Sequence, residues 1–269
     1  MSGLTFRLNA APDERLDLSE LTPAKLAKMS TADISKIVVG TTKSQRTVGD
    51  LFTVSGSAGD TVTISGSTNR LDSIGTGLDG GTIIVEGDVG VCAGRSMKKG
   101  TLEIRGDAGA FLASNLSGGV ITVKGSAGSN VGAQWPGDKF GMIGGTVAIE
   151  GDAGDRVGDR MRRGTIVVHG RCGAEAGSRM IGGTIWTERG FGASPGILLR
   201  RGTLIGPSVE RMLPTFADSG RHDLVVLRIL SRYLKATLGP LAPRPLSGAV
   251  HKFAGDLATI GKGEILLTA

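Results

Sequence analysis

The chain has no long apolar run: no stretch of about 18 apolar residues occurs, so no membrane-spanning helix is expected. Its start, MSGLTFRLNAAPDERLDLSE, lacks a basic segment followed by an apolar core, so no secretory leader is expected and a cytoplasmic setting is. Cysteine is scarce. Cys92 and Cys172 are far apart, form no CxxC motif and cannot build a disulfide framework, as suits a reducing compartment. His169, His222 and His251 are the only histidines, and none has ligand spacing to another histidine or to a cysteine, so each is read as structural. Aromatics make up 4 % of the chain, too few for the stacking platforms of a single-stranded nucleic-acid binder. The same scarcity argues against a globular aromatic core.

What the sequence has is glycine, 45 of 269 residues, and it is periodic. A Gly-Thr pair or close variant recurs at Gly81, Gly100, Gly119, Gly145, Gly164, Gly183 and Gly202, a step of 19 residues with one step of 26. A fixed period near 20 residues predicts a solenoid of stacked rungs. Aligned on that pair, Ile83, Leu102, Ile121, Val147, Ile166, Ile185 and Leu204 form one apolar column. Two residues on, Val85, Ile104, Val123, Ile149 and Val168 form a second, which is the spacing of a strand with one buried face. Small residues follow at Val89, Ala108, Ala127, Ala153 and Cys172, then Ala93, Leu112, Val131, Val157 and Ala176. Leu78, Met97, Leu116, Met142, Met161, Met180 and Leu199 always precede the repeat glycine by three, and this stripe is read as core, since unbranched Met fills irregular corners. Turns are marked by GxxGxxxG, as at Gly87/Gly90/Gly94 and Gly151/Gly154/Gly158. The expected fold is all-β, a right-handed parallel β-helix, the hand following the usual crossover rule.

Residues 1–46 do not repeat and are read as an N-terminal cap, with a short helix opening at Thr22-Pro23. Residues 47–206 form the Gly-rich β-helix, and residues 207–269 a C-terminal helix and extended tail. Leu224, Leu227, Leu230, Leu234 and Leu238 give the helix over Asp223 to Leu238 an apolar stripe, and the Pro-rich stretch from Pro240 to Pro245 ends it. The seven extra residues of the long step fall between Gly132 and Met142 and must leave the stack as a loop. Its Trp135 and Phe140 make it either a contact surface or a loop folded on its own repeats.

Candidate chemistry is thin. Gly75 to Gly80 spells GxGxxG but precedes a strand, without a helix to receive phosphate, and is read as chance. Asp88, Asp107 and Asp152 share a column that Ser126 interrupts, and are read as backbone partners in turns rather than calcium ligands. The net charge of +6 calls for an acidic partner or ligand. Arg95, Lys98, Lys99, Arg160, Arg162, Arg163, Arg179, Arg200 and Arg201 flank the Leu/Met stripe and form a candidate basic edge. That edge would meet solvent, an acidic protein surface or a polyanionic cofactor.

The GxxGxxxG turns with the 19-residue repeat, from about residue 48 to 206, resemble the Gly-rich β-helix at the C-terminus of the glutamate synthase large subunit and the C subunit of formylmethanofuran dehydrogenase. Thr47-Val48-Gly49-Asp50-Leu51-Phe52-Thr53-Val54 and the tail from Gly255-Asp256 to Leu266 resemble the second, most closely in its form from the formyltransferase/hydrolase complex of methylotrophic bacteria. The resemblance implies a complex that moves formyl from formyl-tetrahydromethanopterin to methanofuran or methylofuran and hydrolyses it to formate. It implies amidohydrolase-like, dehydrogenase-B-like and formyltransferase subunits as partners, and neither nucleic acid nor membrane. It maps no catalytic, cofactor-binding or metal-binding residue onto this chain, which would be a scaffold, and a polyglutamate-bearing furan cofactor would suit the basic edge. Two alternatives stay open: the C subunit of an archaeal-type formylmethanofuran dehydrogenase, and a β-helix hydrolase or lyase acting on an acidic polysaccharide.

Overall fold

Thr, Val and Ile alternate after each repeat glycine, and such residues fit a pleated, half-buried strand. The structure, a computed structural model, describes residues 3–246 and 248–268; the first two residues of the predicted cap, and residues 247 and 269 of the predicted tail, lie outside it. The protein is mostly β, with a 13-stranded sheet as its main element. Asp79–Gly87, Lys99–Ile104, Val120–Val123, Ile143–Ile149, Arg163–Val168, Thr184–Thr187 and Arg201–Gly206 pair in parallel, each with the next. Their register places Ile83, Leu102, Ile121, Val147, Ile166, Ile185 and Leu204 side by side, all fully buried. Across the 26-residue step Ile121 still meets Val147, so the insertion leaves the sheet undisturbed. A second line of parallel bridges joins Val89, Ala108, Ala127, Ala153, Cys172 and Phe191.

The repeat glycines and the methionine stripe depend on one another. At Gly164, φ is +100° and an added Cβ would lie 2.6 Å from Met142 Cε and 2.8 Å from the Gly145 carbonyl oxygen. Gly119 sits under Met97, Gly183 under Met161 and Gly202 under Met180 in the same way. Each methionine, fully buried, thus lies over the bare backbone of the next repeat.

The aspartates have a related role. Asp107 Oδ1 accepts from the Ser126 N–H at 2.7 Å, and Asp152 Oδ1 from Arg171 N–H at 2.7 Å. Asp88 holds Asp107 N–H at 2.9 Å. A Cβ at Gly125 would fall 2.0 Å from Asp107 Oδ1, so the turn glycine makes room for the carboxylate of the preceding repeat. The expected backbone role is what these carboxylates perform.

Both ends of the sheet extend beyond the repeat. Thr61–Ser67 and then Leu4–Leu8 continue it in parallel, and Phe52–Ser55 closes that edge antiparallel. At the other end the predicted tail is extended and lies along the repeats, where it adds strands to the sheet. Lys262–Leu267 pairs in parallel with Arg201–Gly206, and Val250–Gly255 and Ala217–His222 follow antiparallel. The reason lies in Lys262-Gly263-Glu264-Ile265, which has the phase of Arg201-Gly202-Thr203-Leu204 and buries Ile265 in the same column.

The cap contributes the one-turn helix Pro23–Leu26, with proline at its start. The C-terminal helix spans Val225–Leu238 and lays Leu227, Leu234 and Leu238 on the outer face of the sheet, over Ala148, Val167, Trp186, Ile205 and Leu266. This second core is not apparent from the repeat pattern.

Met161→Ala should cost about 2–5 kcal/mol, since it empties a fully buried site. Gly164→Ala should cost more than about 1 kcal/mol through its positive φ alone. Denaturant unfolding checks both, and a cost near zero for either would contradict the interlocked packing.

Candidate functional site

Strand starts carry the most concentrated charge. Arg162-Arg163 and Arg200-Arg201 occupy equivalent positions two repeats apart, and the repeat between them has Ile181-Gly182 there. Parallel strands lie about 4.8 Å apart, so the two arginine pairs form walls about 9.6 Å apart over a floor of isoleucine and glycine. The groove has a volume of about 430 Å³, and Ile260 completes its lining. Gly182 cannot readily be larger, because a Cβ there would lie 2.7 Å from the Arg162 carbonyl oxygen. All four arginines are exposed, and among the described residues none makes an ion pair. Lys262, in register with Arg201, extends the same row.

The other predicted cations are placed differently. Arg179 is held by Asp159 through two bonds of 2.9 and 2.6 Å, and Arg95 reaches Asp138 at 3.4 Å. Lys98 lies 3.9 Å from Asp79, Lys99 is exposed, and Arg160 is partly buried outside the groove lining. Arg95 also sits 5.0 Å over the Trp135 ring, whose edge meets Phe111 at 5.0 Å. Phe140 lies under Arg162 at 4.9 Å. The insertion therefore folds onto its own repeats, closed at its base by Met142 N–H donating to Gly132 O at 2.7 Å.

The cysteines and histidines sit in separate surroundings. Burial pushes the Cys172 thiol up to about 12 and the Cys92 thiol up to about 11, so both stay protonated and unreactive near neutrality. Among the described residues no group of three or more His, Cys, Asp or Glu could hold a metal ion, and no helix is long and apolar enough to cross a membrane. The GxGxxG glycines Gly75 and Gly77 lie in turns ahead of the strand Asp79–Gly87, with no helix after them. His222 contacts Ser219 O at 2.8 Å, and His251 contacts Asp218 at 2.6 Å and stacks on Phe253.

His169 is the most engaged of the three. It shares an outer column with Glu150 and Glu188 at the mouth of a cavity of about 500 Å³, also lined by Trp186, Arg189 and Arg244. Nδ1 lies 2.9 Å from Glu188 Oε2 and Nε2 lies 3.1 Å from Leu241 O. Both neighbours are acceptors, so the two bonds form together only when both ring nitrogens carry protons. Glu188 Oε1 also accepts from Arg244 N–H at 2.9 Å, and the pair ties the segment after the helix to the sheet.

No family model matches the sequence. The chain is 48 % identical over 265 residues to the C subunit of the formyltransferase/hydrolase complex Fhc of Methylorubrum extorquens, covering 98 % of this chain and 99 % of that protein. It superposes with a TM-score of 0.93, at 42 % identity and covering 98 % of this chain and 99 % of the other, on a chain of the crystal structure of the formyltransferase/hydrolase complex FhcABCD from the same organism in complex with methylofuran.

Burial raises the Glu188 carboxyl, but the Arg244 N–H and His169 outweigh it and hold the folded-state value below the ordinary 4.5. A depressed carboxyl contributes stability above its unfolded value and loses it as pH falls through the folded one. Glu188→Gln should therefore flatten the loss of stability below about pH 4.5, measured as urea midpoint against pH. A variant with an unchanged acid limb would contradict this.

Proposed function

The chain belongs to the C-subunit family of formyltransferase/hydrolase complexes, and on that premise we propose that it is a non-catalytic scaffold whose basic groove holds the anionic part of the furan cofactor. The neighbouring complex was determined with methylofuran. Here the corresponding complex would carry formyl from formyl-tetrahydromethanopterin to a furan cofactor and release formate, with transfer and hydrolysis sites in the other subunits. When bound, the furan cofactor supplies the group that carries the formyl unit.

The observation that carries this reading is the groove of Arg162, Arg163, Arg200 and Arg201, with no carboxylate among its described lining residues. Guanidinium groups pair with carboxylates in a bidentate manner and remain charged at any working pH, so the donor set fits a polyglutamate chain. Two cationic walls about 9.6 Å apart leave room for one extended chain between them. The same absence argues against a polysaccharide hydrolase or lyase, which needs a carboxylate and a base converging on its groove.

The finer reading of the fold is a right-handed parallel β-helix of about 19-residue rungs, spanning residues 47–206 between an N-terminal cap and a C-terminal segment. Its register, its stacked buried columns and its corner hydrogen bonds from one repeat to the next support it. Such a body offers flat sides and edges for docking. A cytoplasmic setting follows from a complex that works on soluble one-carbon carriers.

Arg162→Ser with Arg163→Ser, and separately Arg200→Ser with Arg201→Ser, should each lower retention of the furan cofactor on the purified complex by at least about tenfold, since each removed charged contact is worth about 1.5–3 kcal/mol. Thermal unfolding should shift only by the loss of the Arg162–Phe140 contact, about 0.5–1 kcal/mol, and not at all for the Arg200/Arg201 variant. Wild-type cofactor content in both variants would refute the groove assignment, whereas a wild-type chain recovered from its native lysate without partner subunits would refute the scaffold reading.

A further inference from the structure

We propose that the outer face of the helix Val225–Leu238 is the docking site for another subunit of the complex, which presents an apolar ridge flanked by carboxylates. This rests on the scaffold reading above. The helix already has a buried face, Leu227, Leu234 and Leu238, seated on the sheet. On the opposite side Val225, Val226, Ile229 and Tyr233 are 58, 59, 61 and 51 % exposed. Their spacing, with 225, 229 and 233 one helical turn apart, sets them in a second stripe. A helix lying on a sheet and otherwise facing water needs only one apolar face. Two such faces mean that both are covered, and a contiguous exposed apolar stripe is a mark of a protein contact.

Charge identifies the occupant. The helix, VVLRILSRYLKATL, contains Arg228, Arg232 and Lys235 and no acidic residue. Arg228 is held by Asp223 at 3.0 Å. No ion pair reaches Arg232 or Lys235 among the described residues, and Lys235 only donates to the Gly239 carbonyl at 3.3 Å. A second copy of the chain would bring an equally basic helix against this one, so like charges would face each other at the rim. A partner with carboxylates beside its apolar ridge would neutralise them. Tyr233, at the margin of the stripe, is also tethered, its hydroxyl 3.3 Å from Thr146 Oγ1, which makes that margin a fixed surface rather than one free to sink into lipid.

The test uses the chain co-expressed with the other subunits of its complex. Ile229→Glu and Arg232→Glu should each reduce recovery of partner subunits by at least about tenfold, while the thermal midpoint of the isolated variants shifts by less than about 2 °C, as for surface changes. Ile229→Ser covers the case in which glutamate perturbs folding, and should lower recovery in the same direction. A photo-crosslinking residue at position 229 should label a partner-subunit segment containing Asp or Glu. Undiminished recovery with both Ile229 variants overturns the proposal and leaves the scaffold reading standing, as does a cross-link only to a second copy, or binding of the helix face to anionic phospholipid vesicles. Failure of the wild-type chain to recover any partner subunit removes the scaffold reading and this proposal together.

Discussion

The structure depends on how closely one repeat can lie upon the next. Strands in register stand about 4.8 Å apart, and at each strand start the carbonyl of the preceding repeat occupies the space a side chain would need. At Gly119 that oxygen, from Gly100, would lie 2.7 Å from a Cβ, and Met97 Cε would lie closer still at 2.5 Å. Glycine is therefore required twice over, by sterics and by its positive φ of +85°. The gap left by the missing side chain is filled by a long unbranched one from the repeat before, and so a glycine column and a methionine column arise together.

The same close stacking engages the turn carboxylates. The carboxylates of Asp88, Asp107 and Asp152 could have formed an acidic ladder, but each is engaged by a backbone N–H one repeat on. A carboxylate that satisfies an otherwise unpaired N–H is not free to bind a metal or move a proton without exposing that donor. The stacked interior columns are apolar, and these corner carboxylates are taken up by the backbone. What remains for interaction is the set of strand starts, the insertion, the outer sheet face and the two ends.

The columns were legible in the sequence because a period of two inside a period of 19 leaves little freedom in which way Ile166 or Val168 can point. The C-terminal strands were not, because the helix and the Pro-rich stretch interrupt the count, although Lys262-Gly263 followed by Ile265 repeats the pattern of Arg201-Gly202 and Leu204. The outer core did leave a signal, though one that a count of inward columns passes over. Ile166-Val167-Val168 and Ile185-Trp186 are unbroken apolar runs, and such runs mark strands buried on both faces. Among the basic residues, sequence could place Arg162 and Arg201 on one edge. It could not show that Arg179 and Arg95 are taken up by Asp159 and Asp138, because those pairings cross repeats or reach the insertion.

The spacing of the groove follows from the repeat itself. Cations in adjacent repeats would stand about 4.8 Å apart and repel by about 0.9 kcal/mol even in bulk water, and doubling the distance halves that before salt screens it further. Placing Gly182 between Arg163 and Arg201 relieves the repulsion. It also opens the space that an anionic chain would occupy. A device that looks like charge management along a strand edge is thus the same geometry that makes a groove, and the two roles separate only where Lys262 follows Arg201 directly. There the repulsion is not relieved by glycine. The carboxylate of Glu264, two residues beyond Lys262, is engaged by Thr203 and Lys252. On the proposed reading, this unrelieved pair would be the end of the row that holds negative charge from a ligand most strongly.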